Sequence, residues 1–212
     1  MFTSNHMRSI VDYMQSHEYG PYIALYLYSG LRPGEGFGLM WNDIDRKNMV
    51  FHIQRSLTLV EVVDEQTGKA RNTYQITPGT KTDEERVVAY NAALEVLLDR
   101  IPQHGLFVMS REIKSKNDLG DTITTYSHHT HSSFDALYYK FFDDLNRILA
   151  PELIPRLTPH KMRHTFATYL RKAGANLDEI RELLGHKSIS TTMIYDTVDI
   201  EDKRSTVSKL PY

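Results

Sequence analysis

The sequence contains no cysteine among its 212 residues. Disulfides, cysteine-ligated zinc, iron–sulfur clusters and thiol nucleophiles are therefore excluded, and the absence agrees with a reducing compartment. Long hydrophobic runs are missing too: no segment could span a bilayer, and the opening MFTSNHMRSI has no apolar stretch like that of a signal peptide. The sequence thus predicts a cytoplasmic protein that does not engage a membrane.

A strong net charge is also missing, because the formal charge is only −2. This balance argues against a protein that coats DNA by bulk electrostatics. The charges are unevenly distributed, however, and the last third of the chain is locally basic. Its cations are Arg156, Lys161, Arg163, Arg171, Lys172, Arg181 and Lys187. Such a basic face can still bind a polyanion.

The composition, 41% hydrophobic and 25% charged, is that of a globular domain with its own core. Neither a repeat nor a low-complexity linker interrupts the sequence, so residues 1–212 are predicted to form one domain. The first part favours helices: one capped by Thr3, one from about Pro21 to Gly30, and a short one opened by Pro33. Arg32 then lies just beyond a helix end.

β-Branched and aromatic runs dominate from Met49 to Ala89 and predict a small antiparallel sheet carrying a hairpin, with Lys81 on the turn before its last strand. The polar stretch from Arg111 to Ser132 is predicted to be an irregular surface loop. An amphipathic helix follows from Ser133 to Leu149, with Ile148 on its apolar stripe. The fold class is therefore α+β, a mainly helical domain with a small antiparallel sheet.

The C-terminal third has the clearest helix signals. A helix is expected to begin after a Thr158 cap, with His160 in its first turn and Arg163 one turn later on the same face. A second helix, LDEIRELL, opens with a capping box and ends at a glycine directly before His186. Tyr195 is predicted to lie on, or at the end of, one further short helix.

Several of these residues have the chemistry needed to break a DNA phosphodiester without a metal. Negative charge grows on the non-bridging oxygens, and the forked guanidiniums of Arg32 and Arg163 could clamp them. The leaving 5′ oxygen needs a proton, for which the Lys81 ammonium is the candidate acid. Tyr195 is the candidate nucleophile, and two imidazoles could assist it or bond the phosphate. These imidazoles are His160 and His186.

At these positions the sequence resembles the tyrosine recombinase or phage integrase family, in particular its phage and conjugative-transposon branch. SGLRPGEGFGLMWNDID is similar to the family's first arginine box, and GTKTDEERVV to its lysine turn. TPHKMRHTFATYL resembles the His-x-x-Arg box, and LLGHKSISTTMIYDTV the second histidine followed by the nucleophile. The resemblance spans most of the chain and implies the catalytic fold of these DNA breaking and rejoining enzymes. The matching catalytic positions are Arg32, Lys81, His160, Arg163, His186 and Tyr195, with Glu35 as a supporting acid.

The resemblance implies a site-specific recombinase or integrase, a DNA strand transferase of mobile-element integration or excision. Tyr195 would attack the scissile phosphate to give a 3′-phosphotyrosine and a free 5′-hydroxyl, and a 5′-hydroxyl from a partner duplex would then attack that linkage. No cofactor, metal or ATP is implied. The implied partners are double-stranded DNA and further recombinase subunits, a tetramer for a full-length enzyme, with residues 197–212 as the docking tail; an isolated domain could be monomeric.

Members of the family usually carry an N-terminal core-binding domain, and this branch often has a further arm-binding domain. Neither fits before Arg32, so we expect residues 1–212 to be a catalytic domain by itself. Two other functions stay open: a topoisomerase of type IB, which religates the same strand, and a DNA-binding regulator on this fold that has lost catalysis. The complete set of catalytic positions favours the recombinase.

The candidate residues also have structural interpretations. Arg32 could simply neutralise the helix end before it, with Glu35 as its surface partner. The lysine and histidine candidates, taken singly, are also typical of solvated turns and helix starts. A metal site could be suggested for a histidine cluster, but adjacent histidines in a polar segment lack the spacing and acidic companions of a convincing site, and no metal is expected. This cluster consists of His128, His129 and His131.

Overall fold

The computed structural model describes residues 2–65, 67–79, 86–155, 157–186 and 188–193. The α-helices within these residues are α1 (Ser4–Met14), α2 (Gly20–Ser29), α3 (Pro33–Gly38), α4 (Ala92–Leu98), α5 (His131–Leu149), α6 (His160–Lys172), α7 (Leu177–Leu184) and α8 (Ile189–Thr192). The β-strands are β1 (Ile44–Asp45), β2 (Val50–Ile53), β3 (Arg55–Val63), β4 (Ala70–Pro78), β5 (Arg86–Ala89), β6 (Ser110–Lys116) and β7 (Thr122–His128). None of the helices in this described part is long and apolar enough to cross a membrane.

Helices α1 and α2 begin and end where their sequences provide caps. The Thr3 hydroxyl accepts the amide N–H of His6 at 3.2 Å, and the His6 imidazole accepts the amide of Thr3 at 3.3 Å. Helix α2 ends at Gly30, whose φ of 64° is left-handed. Most residues of α2 are buried, because α1, α4 and α6 all pack on it. It is therefore the central helix on which the site is built.

In place of the one small sheet predicted between Met49 and Ala89, the structure has two small antiparallel sheets. Strand β2 lies in the middle of a three-stranded sheet of order β1-β2-β5, and β3 and β4 form a separate hairpin that starts with the pair Arg55 and Pro78. The base of the hairpin packs on α3. A Cβ atom at Gly34 would lie 2.6 Å from the Leu57 carbonyl oxygen, so this close approach requires glycine.

Helix α5 supplies much of the core. It was predicted correctly, except that Ile148 is 66% exposed. The apolar stripe continues from Leu145 to Leu149, which packs on the core, because residues four apart lie on one face of a helix. The α+β prediction is confirmed. The buried core residues of α5 are Phe134, Leu137, Tyr138, Phe141, Phe142 and Leu145.

The prediction of an irregular loop over residues 111–132 is wrong. The segment contains the β6–β7 hairpin, which opens with the pair Ser110 and His128, and the first turn of α5. Asn117 holds the hairpin turn, since its side-chain oxygen accepts the amide N–H of Asp121 at 2.8 Å. Both strands are largely exposed and polar, so the apolar alternation that marks a half-buried strand is missing. The β-branched run TITT was the remaining signal.

Helices α6, α7 and α8 follow in the predicted order. The predicted Thr158 cap is wrong: Pro159 occupies the N-cap position, no side chain caps α6, and Thr158 contributes only its backbone carbonyl to the first turn. A proline at the cap is tolerated because the first amides of a helix lack partners within it. Helix α7 opens with the predicted capping box at Asn176 and ends at Gly185, whose φ is 61°. His186 therefore leaves α7 at a sharp change of direction.

Candidate active site

Arg32 and Glu35 are fixed to each other at the start of α3. Arg32 is the N-cap residue; its amide donates to Oε2 of Glu35 at 2.8 Å, and its Nη1 donates to Oε1 at 2.7 Å. The Glu35 side chain is fully buried. Glu35 is therefore a buried partner of Arg32 and not a surface one. Arg32 also does not cap the helix before it, since its Nη2 donates to the carbonyl oxygen of Gly185 at 3.1 Å.

A second arginine, which was not predicted from the sequence, lies beside Glu35. Arg86, the first residue of β5, donates from Nη2 to Oε2 of Glu35 at 2.7 Å. Burial raises the pKa of the Glu35 carboxyl, but the attraction of Arg86, and then of Arg32, outweighs it and lowers the pKa below its usual value. The signal that could have revealed Arg86 is its register, because it pairs with the buried Ile53 on β2. A charge beside a buried strand needs a partner.

Arg163 is the most deeply buried of the three arginines. It lies in the second turn of α6 with 3% of its surface exposed. Its Nη1 donates to the carbonyl oxygen of Gly30 at 2.8 Å, and its Nη2 to that of Leu184. The planar guanidinium thus joins the ends of α2 and α7, two helices far apart in sequence.

All three arginines converge on the C-terminal end of α7. Successive carbonyl oxygens of Leu183, Leu184 and Gly185 accept hydrogen bonds from Arg86, Arg163 and Arg32 respectively. The last carbonyls of a helix have no partner within it and carry the negative end of its dipole. Three cations at that end are therefore electrostatically stabilised, although they repel one another. Together they form a positive centre directly before His186.

His186 faces this positive centre. Its Nδ1 lies 3.0 Å from the hydroxyl of Thr192 on α8, and its amide N–H bonds the Arg181 carbonyl at 3.0 Å. Burial, followed by the positive charges of Arg163, Arg32 and Arg86, lowers the pKa of its imidazole to about 4. The imidazole is therefore neutral near pH 7 and can donate from one nitrogen and accept at the other.

An NMR titration of the ring nitrogens is expected to place the midpoint of His186 near pH 4 in the folded protein. In urea the midpoint should return to the ordinary value of about 6.5. As the pH is lowered, His186 takes up its proton at a higher pH in the unfolded chain than in the folded protein. The contribution of neutral His186 to the free energy of unfolding is therefore complete above about pH 6.5 and is lost as the pH falls towards 4. A folded-state midpoint at or above the ordinary value would contradict the proximity of the three arginines.

His160 lies at the edge of the cluster. It is exposed at the first residue of α6, and its ring centroid is 5.4 Å from that of His164, one turn later. Burial first, and then the charges of Lys161, His160 and Arg163, lower the pKa of His164. The charge of His164 also contributes to the lowered pKa of His186. No role of His164 was predicted from the sequence.

The other two predicted catalytic residues, Lys81 and Tyr195, lie outside the described residues. What the structure brings together is therefore the arginine and histidine part of the predicted site. Arg32, Glu35, Arg163 and His186 are in one cluster, and His160 lies one helical turn before Arg163 on α6.

The three histidines near the start of α5 have structural contacts. The Nδ1 of His129 lies 3.1 Å from the Ser133 hydroxyl, and burial lowers the pKa of this imidazole to about 4. The ring of His131 packs edge-on against Phe37, with the centroids 5.0 Å apart. The Nδ1 of His128 lies 2.9 Å from the His129 carbonyl oxygen. Within the residues that the structure describes, no group of three or more histidines or acids could hold a metal ion.

The guanidiniums of Arg32 and Arg163 and the neutral imidazole of His186 lie together, and the buried carboxylate of Glu35 bonds Arg32. This arrangement has the charge and the donors that suit an anionic group. Such a site suits the pentacoordinate phosphate of a phosphoryl transfer, in which charge develops on the non-bridging oxygens. The chain belongs to the phage integrase family, whose model matches residues 1–201.

Three known proteins illustrate this relationship. A tyrosine recombinase XerC-like protein of Caldanaerobacter subterraneus subsp. tengcongensis is 30% identical over 219 aligned positions, which cover 99% of this chain and 53% of the relative. The Tn1549 transposon integrase, solved in complex with a circular intermediate DNA, superposes with a TM-score of 0.71 at 22% identity, over 99% of this chain and 65% of that one. The catalytic domain of bacteriophage HP1 integrase superposes with a TM-score of 0.54 at 17% identity, over 100% of this chain and 95% of that one. The chain thus spans about half the length of the first relative and has the fold of tyrosine recombinase catalytic domains.

Proposed function

We propose that this chain is the catalytic domain of a site-specific DNA recombinase or integrase, which cleaves and rejoins DNA strands through a 3′-phosphotyrosine intermediate. The observation that carries the proposal is the convergence of Arg32, Arg163 and His186 at the end of α7 in a chain of the phage integrase family. The recombinase names of its relatives favour strand exchange over relaxation by a topoisomerase and over a regulator without catalysis.

In this proposal the arginines bind the scissile phosphate. Each guanidinium has five N–H donors, and the contacts of Arg32 with Glu35 and Gly185 use only part of its set. Arg32 and Arg163 stabilise the charge that develops on the two non-bridging oxygens in the transition state. With Nδ1 of His186 beside Thr192, we assign its Nε2 to one of these oxygens. Glu35 orients Arg32.

The strand-cleavage step is assigned to Tyr195 and Lys81. The phenol oxygen forms a bond to phosphorus, the bond from phosphorus to the 5′ oxygen breaks, Lys81 protonates that oxygen, and His160 accepts the phenol proton. One phosphoester bond replaces another, so a 5′-hydroxyl can reverse the step without ATP or a metal. Tyr195 is three positions after Thr192 in the sequence, a chain length of at most about 11 Å, and the Thr192 hydroxyl lies 3.0 Å from Nδ1 of His186.

The proposed partners are double-stranded DNA and further subunits of the same kind, four in a full-length enzyme, with residues 197–212 docking on a neighbour. The Tn1549 integrase, which shares the fold, was solved on DNA, and this supports DNA as the substrate class. We place the activity in the cytoplasm, at the nucleoid. Core-binding and arm-binding domains, which we do not assign to residues 1–212, would supply the rest of a DNA clamp.

The test is a covalent trap. The chain is incubated with a pool of randomised duplexes that carry a nick beside the cleavage position, so that the released fragment diffuses away and religation is prevented. We expect a protein–DNA adduct that survives denaturation, forms equally in EDTA and without ATP, and leaves a free 5′-hydroxyl. Adducts joined through a 5′-phosphate, or no adduct with excess DNA, would overturn the proposal.

A further inference from the structure

The cluster at the end of α7 contains one cation to which the proposed mechanism assigns no contact with DNA. We propose that Arg86 is a positioning residue for strand cleavage, which ties Glu35, and through it Arg32, to the segment that presents His186. This inference rests on the proposed function. It adds a residue to the machinery of that reaction without making it a phosphate ligand.

The contacts of Arg86 connect three elements. From the start of β5 its Nη2 reaches Oε2 of Glu35 on α3 at 2.7 Å, and its Nη1 reaches the Leu183 carbonyl oxygen on α7 at 2.6 Å. Only a planar fork can make both bonds at once, whereas a lysine can make one of them well. The side chain is 10% exposed. Arg86 is thus more buried than Arg32, whose side chain is 19% exposed.

The stem of Arg86 also packs under the glycine that ends α7. A Cβ atom at Gly185 would lie 2.7 Å from Cδ of Arg86 and 3.1 Å from its Nε. Gly185 therefore serves two purposes, since it adopts a left-handed φ of 61° and leaves room for the arginine. The backbone that turns towards His186 lies directly on this side chain.

DNA binding is expected to affect the hydrogen bonds of the three arginines differently. Arg32 and Arg163 are assigned to the phosphate in addition to their bonds with the α7 carbonyls. Arg86 bonds Glu35 and Leu183, neither of which is assigned to the phosphate, so we expect both bonds to be kept when a phosphate binds. The distance between Arg32 and His186 is then maintained through Glu35 and Arg86 at the moment of reaction. Misplacement by about 1 Å can cost on the order of a hundredfold in rate.

The charge state of Glu35 is part of this arrangement. The charged and titratable groups around its carboxylate are Arg32 on its own helix, Arg86 on β5, and Tyr26 on α2, whose hydroxyl donates to the Pro33 carbonyl. Burial raises the pKa of Glu35, and Arg86 is the largest of the influences that lower it. Without Arg86, protonation of Glu35 would extend to higher pH and release Arg32.

The experiment measures adduct formation with the nicked duplex pool for Arg86→Gln, Arg86→Lys and the double variant Arg86→Gln/Glu35→Gln. Arg86→Gln is expected to slow cleavage by roughly 10- to 100-fold while DNA binding changes less than about threefold. Its rate should also begin to fall at a higher pH than that of the wild type as the pH is lowered, because Glu35 takes up a proton more readily without Arg86. The double variant has no such group and should lose this pH dependence. Arg86→Lys should restore the pH profile but only part of the rate.

A second readout needs no DNA. The amides of Gly185 and His186 bond the Glu182 and Arg181 carbonyls at 3.0 Å each, and their hydrogen exchange should accelerate at least about tenfold in Arg86→Gln while the core of α2 keeps its protection. The matched control is Arg55→Gln, which breaks a similar pair with Asp43 at 2.6 Å outside the cluster.

Arg86→Gln with wild-type cleavage, pH profile and exchange would overturn the inference. Uniformly faster exchange with an equal cleavage loss in Arg55→Gln would overturn it as well, because that result describes general destabilisation. If the wild type forms no adduct, the proposed function fails, and the exchange measurement still decides whether Arg86 holds the end of α7.

Discussion

Replacement of Tyr195 by phenylalanine is expected to abolish the covalent protein–DNA adduct, with a residual yield below about one part in a thousand. The phenol oxygen is the atom that would join the phosphate, so its removal eliminates the bond and not merely a contribution to its rate. Binding should persist, since the arginines and histidines of the cluster remain. The measurement is the yield of denaturation-resistant adduct on the nicked duplex pool, together with the binding affinity at the same salt concentration.

Tyr126→Phe is the matched control for this variant. Tyr126 lies on β7, is 41% exposed, and stacks on His104 through its ring, which phenylalanine keeps. It should form the adduct at the wild-type rate. An undiminished adduct in Tyr195→Phe would place the nucleophile elsewhere, and peptide mapping of the adduct would then identify it.

Replacement of Arg163 by lysine is expected to slow cleavage by about 10²- to 10³-fold. The lysine keeps the charge, so DNA binding should weaken by no more than about threefold, but it loses the fork that bonds Gly30 and Leu184 at the same time. Loss of that link would also let the ends of α2 and α7 move, so the guanidinium positions and the transition-state charge are both affected. Single-turnover cleavage and equilibrium binding separate these effects.

Arg171→Lys is the control on the same helix. Its Nη1 lies 3.4 Å from the Ala175 carbonyl oxygen, and the residue is in the last turn of α6, two turns away from Arg163. It should cleave as the wild type does. Equal losses of cleavage and binding in Arg163→Lys, or a fall in thermal stability large enough to explain both, would contradict a role in the transition state.

The local signals in the sequence predicted much of the helical framework. Thr3 and the Asn176 capping box predicted the starts of α1 and α7, and Gly30 and Gly185 the ends of α2 and α7, because caps and left-handed glycines act within one turn of chain. The β6–β7 hairpin was not predicted, because its strands have no such local signal. Its strands are exposed on both faces, so burial leaves no periodic pattern in them.

The motifs also predicted which residues would cluster, and Arg32, Glu35, Arg163 and His186 do lie together. The roles of these residues, and those of Lys81 and Tyr195, stay predictions. Arg86 was missed because its importance comes from two partners far away in the chain, Glu35 and Leu183. Neither partner can be inferred from the neighbours of Arg86 in the sequence.

The sequence by itself determined the caps at Thr3 and Asn176, the glycine ends of α2 and α7 and the residue types available for phosphate chemistry, since each depends on side chains within a few residues. Only the tertiary structure decided that three arginines from α3, β5 and α6 meet three consecutive carbonyls of α7. The physical reason is that the free carbonyls at a helix end select cations by proximity in space, and that proximity is created by the packing of α6 on α2 and of α7 on α6.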